Sequence, residues 1–358
     1  MVNVVEEKQI RKIEDFYDLK DEWENLEHGA DMTVYQSFDW NILVVRELFK
    51  SFLCNYYTDL VIYRLVINKK PKIIMPIIIH KHSNKTKWFG RKKGMYLLGH
   101  ASYSDYVNCI YDDASEEEFN TLMGYIARKN SNLNFFFDDI IENTAFNSFL
   151  RQTSLNKLDN TVSVHVNLQG NKEENYNGIL SKHVRQNLRT AVNRMKRDGI
   201  EYRLEIVNHN IGDDVILDKL RQVHIDRMSE KNMIKTDIIH LISSHIRVKY
   251  RKYKEMHNNI IYDAMGSMEN SVFVIVYLND SIAGYLYGLK EDSCVRIMQN
   301  CFNEQYKFYS PMFRGAYDYI LDCLKNEIEM VDFTRGDESY KYQLNGEEMQ
   351  LVHYYGHL

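Results

Sequence analysis

Residues 332–341 read Asp332-Phe333-Thr334-Arg335-Gly336-Asp337-Glu338-Ser339-Tyr340-Lys341, directly after the apolar pair Met330-Val331. The stretch holds two cations (Arg335, Lys341), a phenol able to give a proton (Tyr340) and, among its three acids, Asp337 and Glu338 as candidates to take one. Gly336 lets the backbone turn sharply among them. A charged loop at a strand end is by default a solvated loop with weak ion pairs. Its place in a larger repeated pattern sets this one apart.

Working outward, two segments read as β-hairpins of one design. The first runs through residues 60–68 and 72–80 around Lys69-Lys70-Pro71, and the second through 272–278 and 282–290 around Asn279-Asp280-Ser281. Each has β-branched and aromatic residues on both sides of a turn-forming cluster. A strand (8–14; 202–207) and two helical stretches (19–27 and 38–52; 213–231 and 238–255) precede each hairpin. A further strand, a helix (116–129; 312–325) and another strand (133–137; 329–333) follow each. A β-α-α-β-β-β-α-β order met twice predicts a duplicated α+β domain with a mixed sheet. The division is expected at 1–165 and 166–358.

The bulk numbers agree with a globular protein of two domains. The chain has 358 residues, 44% hydrophobic and 27% charged, with three prolines and a net charge of −5. That balance gives no general case for DNA or an anionic membrane. The start lacks the basic and apolar regions of a signal peptide, and apolar runs are strand-sized. Five scattered cysteines (54, 109, 294, 301, 323) without a Cys-x-x-Cys pair point to reduced thiols and a cytoplasmic setting. The histidines form no metal-spaced cluster, so no metal is expected.

Four places carry a family resemblance: Ser37-Phe38-Asp39-Trp40, Ile74-Met75-Pro76-Ile77, the basic stretch 182–197, and the opening motif 332–341. Together they resemble the Gcn5-related acetyltransferase (GNAT) fold, and within it the two-domain BioF2-like or CelD-like acetyltransferases related to FemAB peptidyl transferases. The resemblance implies two tandem GNAT-like domains, with acetyl-CoA or another acyl-CoA as co-substrate.

Residues 309–315, Tyr-Ser-Pro-Met-Phe-Arg-Gly, open a helix with Ser310 at the cap and Pro311 at the first position. A helix start offers unpaired N–H groups to a pyrophosphate. The resemblance implies that Ser310, Met312, Phe313, Arg314 and Gly315 take that part of coenzyme A, although the usual glycine-rich loop is missing. In the strand 295–302, Gln299 and Cys301 alternate with Asn300. The resemblance implies that the backbone of this strand, at these three residues, holds the pantetheine arm, with Gln299 and Asn300 lining the acceptor cleft, while adjoining amides in a core strand equally suit bridging to neighbours. In the stretch 182–197, Arg185 and Arg189 lie one turn apart and are candidates, with Arg335, to hold an anionic acceptor. A solvated basic face is the plainer reading of such a run.

The expected activity is acyl transfer from acyl-CoA to an amine. Asp337 or Glu338 would be the base, Tyr340 the acid, and Lys341 or a strand N–H the oxyanion partner. The resemblance suggests an amino sugar or precursor in polysaccharide or cell-wall synthesis as acceptor. The first domain is expected to shape the acceptor site without binding coenzyme A, because its matching helix start, residues 113–118, is acidic. Two alternatives stand beside this: a Fem-like transferase taking its acyl group from aminoacyl-tRNA, and a degenerate GNAT pair acting as a binding module.

Overall fold

A computed structural model describes residues 3–50, 58–81, 92–100, 104–158, 160–239 and 244–358. The chain forms two compact units, Met1–Thr161 with Met349–Leu358, and Val162–Glu348. The sequence division at 165/166 falls a few residues from that boundary, and the last ten residues belong to the first unit.

The first unit starts with β1 (Asn3–Ile10), α1 (Ile13–Tyr17), α2 (Lys20–Glu24) and α3 (Phe38–Lys50). The expected strand at 8–14 therefore lies earlier, the helix expected at 19–27 is the shorter α2, and α1 precedes it. Ser37 Oγ accepts the Trp40 N–H at 3.1 Å and so caps α3. Phe16, Trp23, Phe38 and Trp40 are fully buried around it. Then come β2 (Thr58–Ile67), β3 (Lys70–His80), β4 (Gly94–Leu97) and β5 (Ile110–Tyr111). Next are α4 (Glu116–Lys129), β6 (Asn134–Ile141), α5 (Ala145–Leu150) and β7 (Asn156–Lys157). The sheet order is β1-β2-β3-β4-β6, and the terminal strand β14 (Glu347–Gly356) pairs antiparallel with β6.

In the second unit β8 (Thr161–Asn167) leads to α6 (Glu173–Ile179), α7 (Lys182–Arg197) and β9 (Tyr202–Val207). Two long helices, α8 (Asp214–Ile239) and α9 (Ser244–Ser267), precede β10 (Ser271–Leu278), β11 (Ser281–Glu291) and β12 (Cys294–Phe302). A 3₁₀ turn (Glu304–Tyr309) then gives α10 (Pro311–Lys325), β13 (Met330–Arg335) and α11 (Ser339–Gln343). Here the order is β9-β10-β11-β12-β13-β8. Val184, Leu188, Ala191 and Met195 of α7 share one core with Met312, Ala316, Ile320 and Cys323 of α10, against Val274 and Val276. At the start of α10, Met312 is buried and Phe313 is only partly so.

Both hairpins close on two residues rather than three. Ile67 pairs with Lys70 and Leu278 with Ser281, leaving Asn68-Lys69 and Asn279-Asp280, all four at positive φ. Such turns match the twist of the flanking strands and favour Asn and Asp. The units also share an irregularity. In each, one strand pair is parallel for only three rungs, β4 with β6 and β12 with β13. Beyond those rungs, β6 carries Asp139 at φ +56° and β13 carries Thr334 at φ +54°.

Four cysteines (109, 294, 301, 323) are buried free thiols, and Cys54 lies outside the described residues. Burial pushes the Cys294 and Cys323 thiols up to about 12, which suits packing rather than nucleophilic work. Among the described residues no helix is long and apolar enough to cross a membrane. No group of three or more metal-ligating side chains is placed to hold an ion among them.

Candidate active site at a strand fork

The parallel pairing of β12 with β13 runs from Cys294/Met330 to Arg296/Asp332 and stops. Both strands are irregular at that level. β12 has a bulge where Gly288 pairs with Ile297 but Tyr287 pairs with Gln299, leaving Met298 extra. β13 breaks register with β8 between Asp332 and Arg335. At the crotch, Arg296 Nη1 meets Asp332 Oδ2 at 2.6 Å, and Asp332 Oδ1 accepts the Thr334 N–H at 2.8 Å. Thr334 Oγ1 donates to the Ile297 carbonyl at 3.0 Å. Past this point the strands part, and among the described residues the β13-facing edge of β12 has no strand partner.

A cavity of about 440 Å³ fills the fork. Ile297, Met298, Gln299, Asn300 and Phe302 form one wall, and Phe333, Thr334, Arg335, Glu338, Tyr340 and Lys341 another. Lys307, Ser310, Pro311, Met312 and Phe313 close one end, and Arg227 of α8 reaches in. Arg227 pairs with Glu304, and its guanidinium lies 4.2 Å from the centroid of the Phe302 ring.

The start of α10 is shaped to leave donors open. Ser310 sits at its cap with φ +50° and ψ +50°, and its side chain makes no capping bond. Left-handed backbone at a non-glycine costs roughly 1–2 kcal/mol, so the surrounding fold holds it there. Arg314 N–H reaches back to the Ser310 carbonyl at 3.2 Å. Among the described residues no hydrogen bond is made by the N–H of Met312 or Phe313, the next two positions after the proline.

Of the expected coenzyme A residues, Gln299, Asn300, Ser310, Met312 and Phe313 line the cavity. Cys301 is not among the lining residues, and its Sγ donates to the Val223 carbonyl of α8 at 3.6 Å. Arg314 is turned along α10, with Nη2 2.6 Å from Asp318 Oδ1. Gly315 is buried, and a Cβ there would stand 2.5 Å from Val276 Cγ2. It is small so that α10 can approach the sheet.

Of the expected catalytic set, Glu338, Tyr340 and Lys341 line the cavity and Asp337 does not. Tyr340 packs edge-on to Phe333, with centroids 5.7 Å apart. Burial pushes its phenol up to about 12, although a hydrogen bond with Asn300 pulls the other way. Lys341 is 2% exposed. Its Nζ donates to the carbonyls of Thr334, Arg335 and Gly336 at 3.0–3.1 Å and pairs with Glu338 at 2.9 Å. That ammonium ties the loop after β13, leaving little donor capacity for a substrate oxyanion.

Of the three expected acceptor residues only Arg335 lines the cavity. Arg185 Nη1 donates to the carbonyls of Asn177 and Leu180 at 3.0 Å and of Gly178 at 3.4 Å, closing the C-terminal end of α6. Arg189 donates to the Arg185 carbonyl of its own helix at 3.3 Å. The two do not form a clamp.

Sequence reasoning missed Arg227, Lys307 and the Arg296–Asp332 pair. Only the last left a trace, a cation in the strand 294–302 answered by an acid in the strand 330–335.

Behind the Gln299 wall lies a polar chain. Tyr285 donates to Gln299 Oε1 at 2.5 Å, and Gln299 Nε2 is 3.3 Å from His224 Nδ1, itself 2.8 Å from the Tyr262 hydroxyl. The partly buried amide of Gln299 is thus satisfied.

Residues 182–342 match the acetyltransferase (GNAT) domain family. Among solved structures, the chain is similar to a conserved protein of unknown function from Bacteroides thetaiotaomicron, 11% identical, with a TM-score of 0.52, covering 98% of this chain and 99% of that one. It is also similar to the C-terminal domain of a putative lysylphosphatidylglycerol synthetase from Agrobacterium fabrum, 10% identical, TM-score 0.55, covering 95% and 92%. No curated protein matches the chain. The mixed sheet flanked by helices is the GNAT fold, and the match of residues 182–342 to a GNAT acetyltransferase domain makes the chain an acyltransferase.

Proposed function

We propose that the second unit binds an acyl-CoA, acetyl-CoA foremost, in the fork between β12 and β13 and passes the acyl group to an amine. The observation that carries this is the cavity itself, which joins an unpaired strand edge to the open N–H groups of α10. An unpaired strand edge suits the amides of a pantetheine arm, and a helix start suits a diphosphate.

The thioester supplies an activated acyl carbon. Transfer joins the amine nitrogen to that carbon and breaks the C–S bond, so a proton leaves nitrogen and one reaches sulfur. Tyr340, held protonated by burial, gives the proton to sulfur. Glu338 is the carboxylate of the lining and the candidate to receive the amine's proton, and Lys341 holds it in place. With Lys341 so engaged, the oxyanion falls to backbone N–H groups of β12 beyond Arg296. Arg335 would face an anionic substituent of the acceptor, for which the BioF2-like and CelD-like resemblance suggests an amino sugar of polysaccharide or cell-wall synthesis.

The first unit, in this reading, serves the acceptor and holds no coenzyme A. Its α4 start is closed by a reciprocal cap: Ser115 Oγ accepts the Glu118 N–H, and Glu118 accepts the Ser115 N–H at 2.7 Å. Glu116, Glu117 and Glu118 add negative charge there. Its fork is filled, since Val107 donates to the Asp139 carbonyl at 3.1 Å and Tyr106 and Val107 are buried.

Calorimetry with acetyl-CoA, followed by a thiol-release assay over a panel of amino sugars, tests the proposal. Absence of binding removes the donor; binding without amine-dependent release removes the acceptor class. A second reading, transfer from aminoacyl-tRNA, draws on the exposed cations Lys182, Arg189, Lys196 and Arg197 along α7, which has no acid within it. Band shift by charged tRNA without acetyl-CoA binding would favour it.

A further inference from the structure

The 3₁₀ turn before α10 displays Phe308 with half of its surface open to solvent, 50% exposed. Two guanidiniums from the end of α7 lie over its ring, Arg194 at 4.4 Å from the centroid and Arg197 at 5.7 Å. Arg194 Nη1 also donates to the Phe308 carbonyl at 2.8 Å, which ties the side chain to that turn. Arg197 is held by Asp198 through Nε at 2.7 Å and Nη2 at 2.9 Å, and Tyr309 donates to the same carboxylate at 3.1 Å. Lys307 stands beside them with its side chain 70% exposed, 3.6 Å from Glu304. Lys196 is exposed on the same turn of α7.

An aromatic ring kept in water under a guanidinium makes a flat, cationic platform two residues before the helix start. Such surfaces favour a planar base together with a phosphate. Resting on the acyl-CoA reading above, we infer that Phe308, Arg194 and Arg197 bind the 3′-phosphoadenosine end of coenzyme A. With the diphosphate at Ser310–Phe313 and the pantetheine in the fork, the nucleotide end must leave the diphosphate away from the cavity. Lys307 and Phe308 immediately precede that helix start in the chain. Adenine stacks on the Phe308 and guanidinium surface. The 3′-phosphate takes Arg194 and, in exchange for part of its bond to Asp198, Arg197.

The test is calorimetry on the full chain with coenzyme A and with dephospho-coenzyme A, which lacks only the 3′-phosphate. Wild type is expected to prefer coenzyme A by about tenfold or more, the scale of one charge-assisted pair. Arg194→Gln with Arg197→Gln should reduce that preference to near unity, weakening coenzyme A about tenfold more than dephospho-coenzyme A. Phe308→Ala should weaken both nucleotides alike and leave 4′-phosphopantetheine binding unchanged. Arg194→Lys, which keeps the charge and loses the plane, guards against misfolding and should retain part of the preference. A wild type that binds both ligands equally, or a double variant that loses both equally, overturns the platform while leaving the donor reading intact. Failure of wild type to bind either ligand overturns both.

Discussion

Arg296 and Asp332 meet at 2.6 Å on the last rung that β12 and β13 share, Arg296 at 8% exposure and Asp332 at 1%. Beyond that rung the strands diverge and the cavity begins. The pair therefore sits where the sheet stops being a sheet. Arg296 Nε is also 2.8 Å from Glu291, so the guanidinium is shared between an inner and an outer acid. A buried pair contributes little over an apolar replacement, but removing one partner strands the other.

Asp332→Asn should accordingly destabilise the second unit by about 3–5 kcal/mol, the usual range for breaking a buried pair. Arg296→Met with Asp332→Leu should recover most of that. Urea midpoints for the three proteins decide it. A single variant as stable as wild type would mean that the Thr334–Ile297 bond alone holds the fork.

Lys341 and Asp337 separate structure from chemistry within one loop. Lys341→Met removes bonds to three carbonyls, one of them buried, and hydrogen bonds to a charged group contribute roughly 1.5–3 kcal/mol each. A loss of about 3 kcal/mol or more is expected, read as a lower urea midpoint. Asp337 is exposed and outside the cavity lining. Asp337→Asn should stay within about 0.5 kcal/mol of wild type and retain turnover. A large loss of rate in Asp337→Asn with normal folding would restore that carboxylate as the base.

What could be read from the sequence follows from how local each signal is. The helices 116–129 and 182–197 and the strand 202–207 were legible to the residue, because caps and periodicity mark them. β1 was misplaced: its run Val-Val-Glu-Glu-Lys-Gln lacks an alternating apolar pattern and takes its place from pairing with β2. The loop after β13 was legible as a candidate site, and several of its residues line the cavity, but the bonds made inside it were not legible. A lysine among polar residues reads as solvated, and only the return of α11 buries Lys341. Arg185 reads as half of an anion clamp until α6 is seen to end beneath it. Both cations serve backbone carbonyls, which no side-chain pattern records.

Gly315 tests the packing of α10. In an exposed helix, alanine would gain about 1 kcal/mol over glycine. Here the new Cβ would meet Val276 Cγ2 at 2.5 Å, and overpacking of this kind costs typically 1–3 kcal/mol. Gly315→Ala should therefore melt lower than wild type. Its affinity for acetyl-CoA should fall only as far as the helix start moves, measured by calorimetry below the melt. A variant more stable than wild type would show that α10 has room the structure does not reveal.

Tyr340 carries the sharpest prediction on the chemistry. Its ring is packed against Phe333, and phenylalanine keeps that contact. Tyr340→Phe should thus fold and bind acetyl-CoA like wild type, yet lose about 100-fold or more in kcat, the contribution of a positioned proton donor. Burial raises its phenol from 10.0 to about 12, which keeps the proton in place through the neutral range. The same shift fixes a stability effect. Folding favours the neutral phenol, so this contribution is fully present below pH 10 and is lost as pH rises through about 12. Urea midpoints measured up that alkaline window should fall less steeply for Tyr340→Phe than for wild type. A variant with full turnover would take the proton to sulfur by another route, and an unchanged alkaline slope would mean that the phenol is not buried as the fork requires.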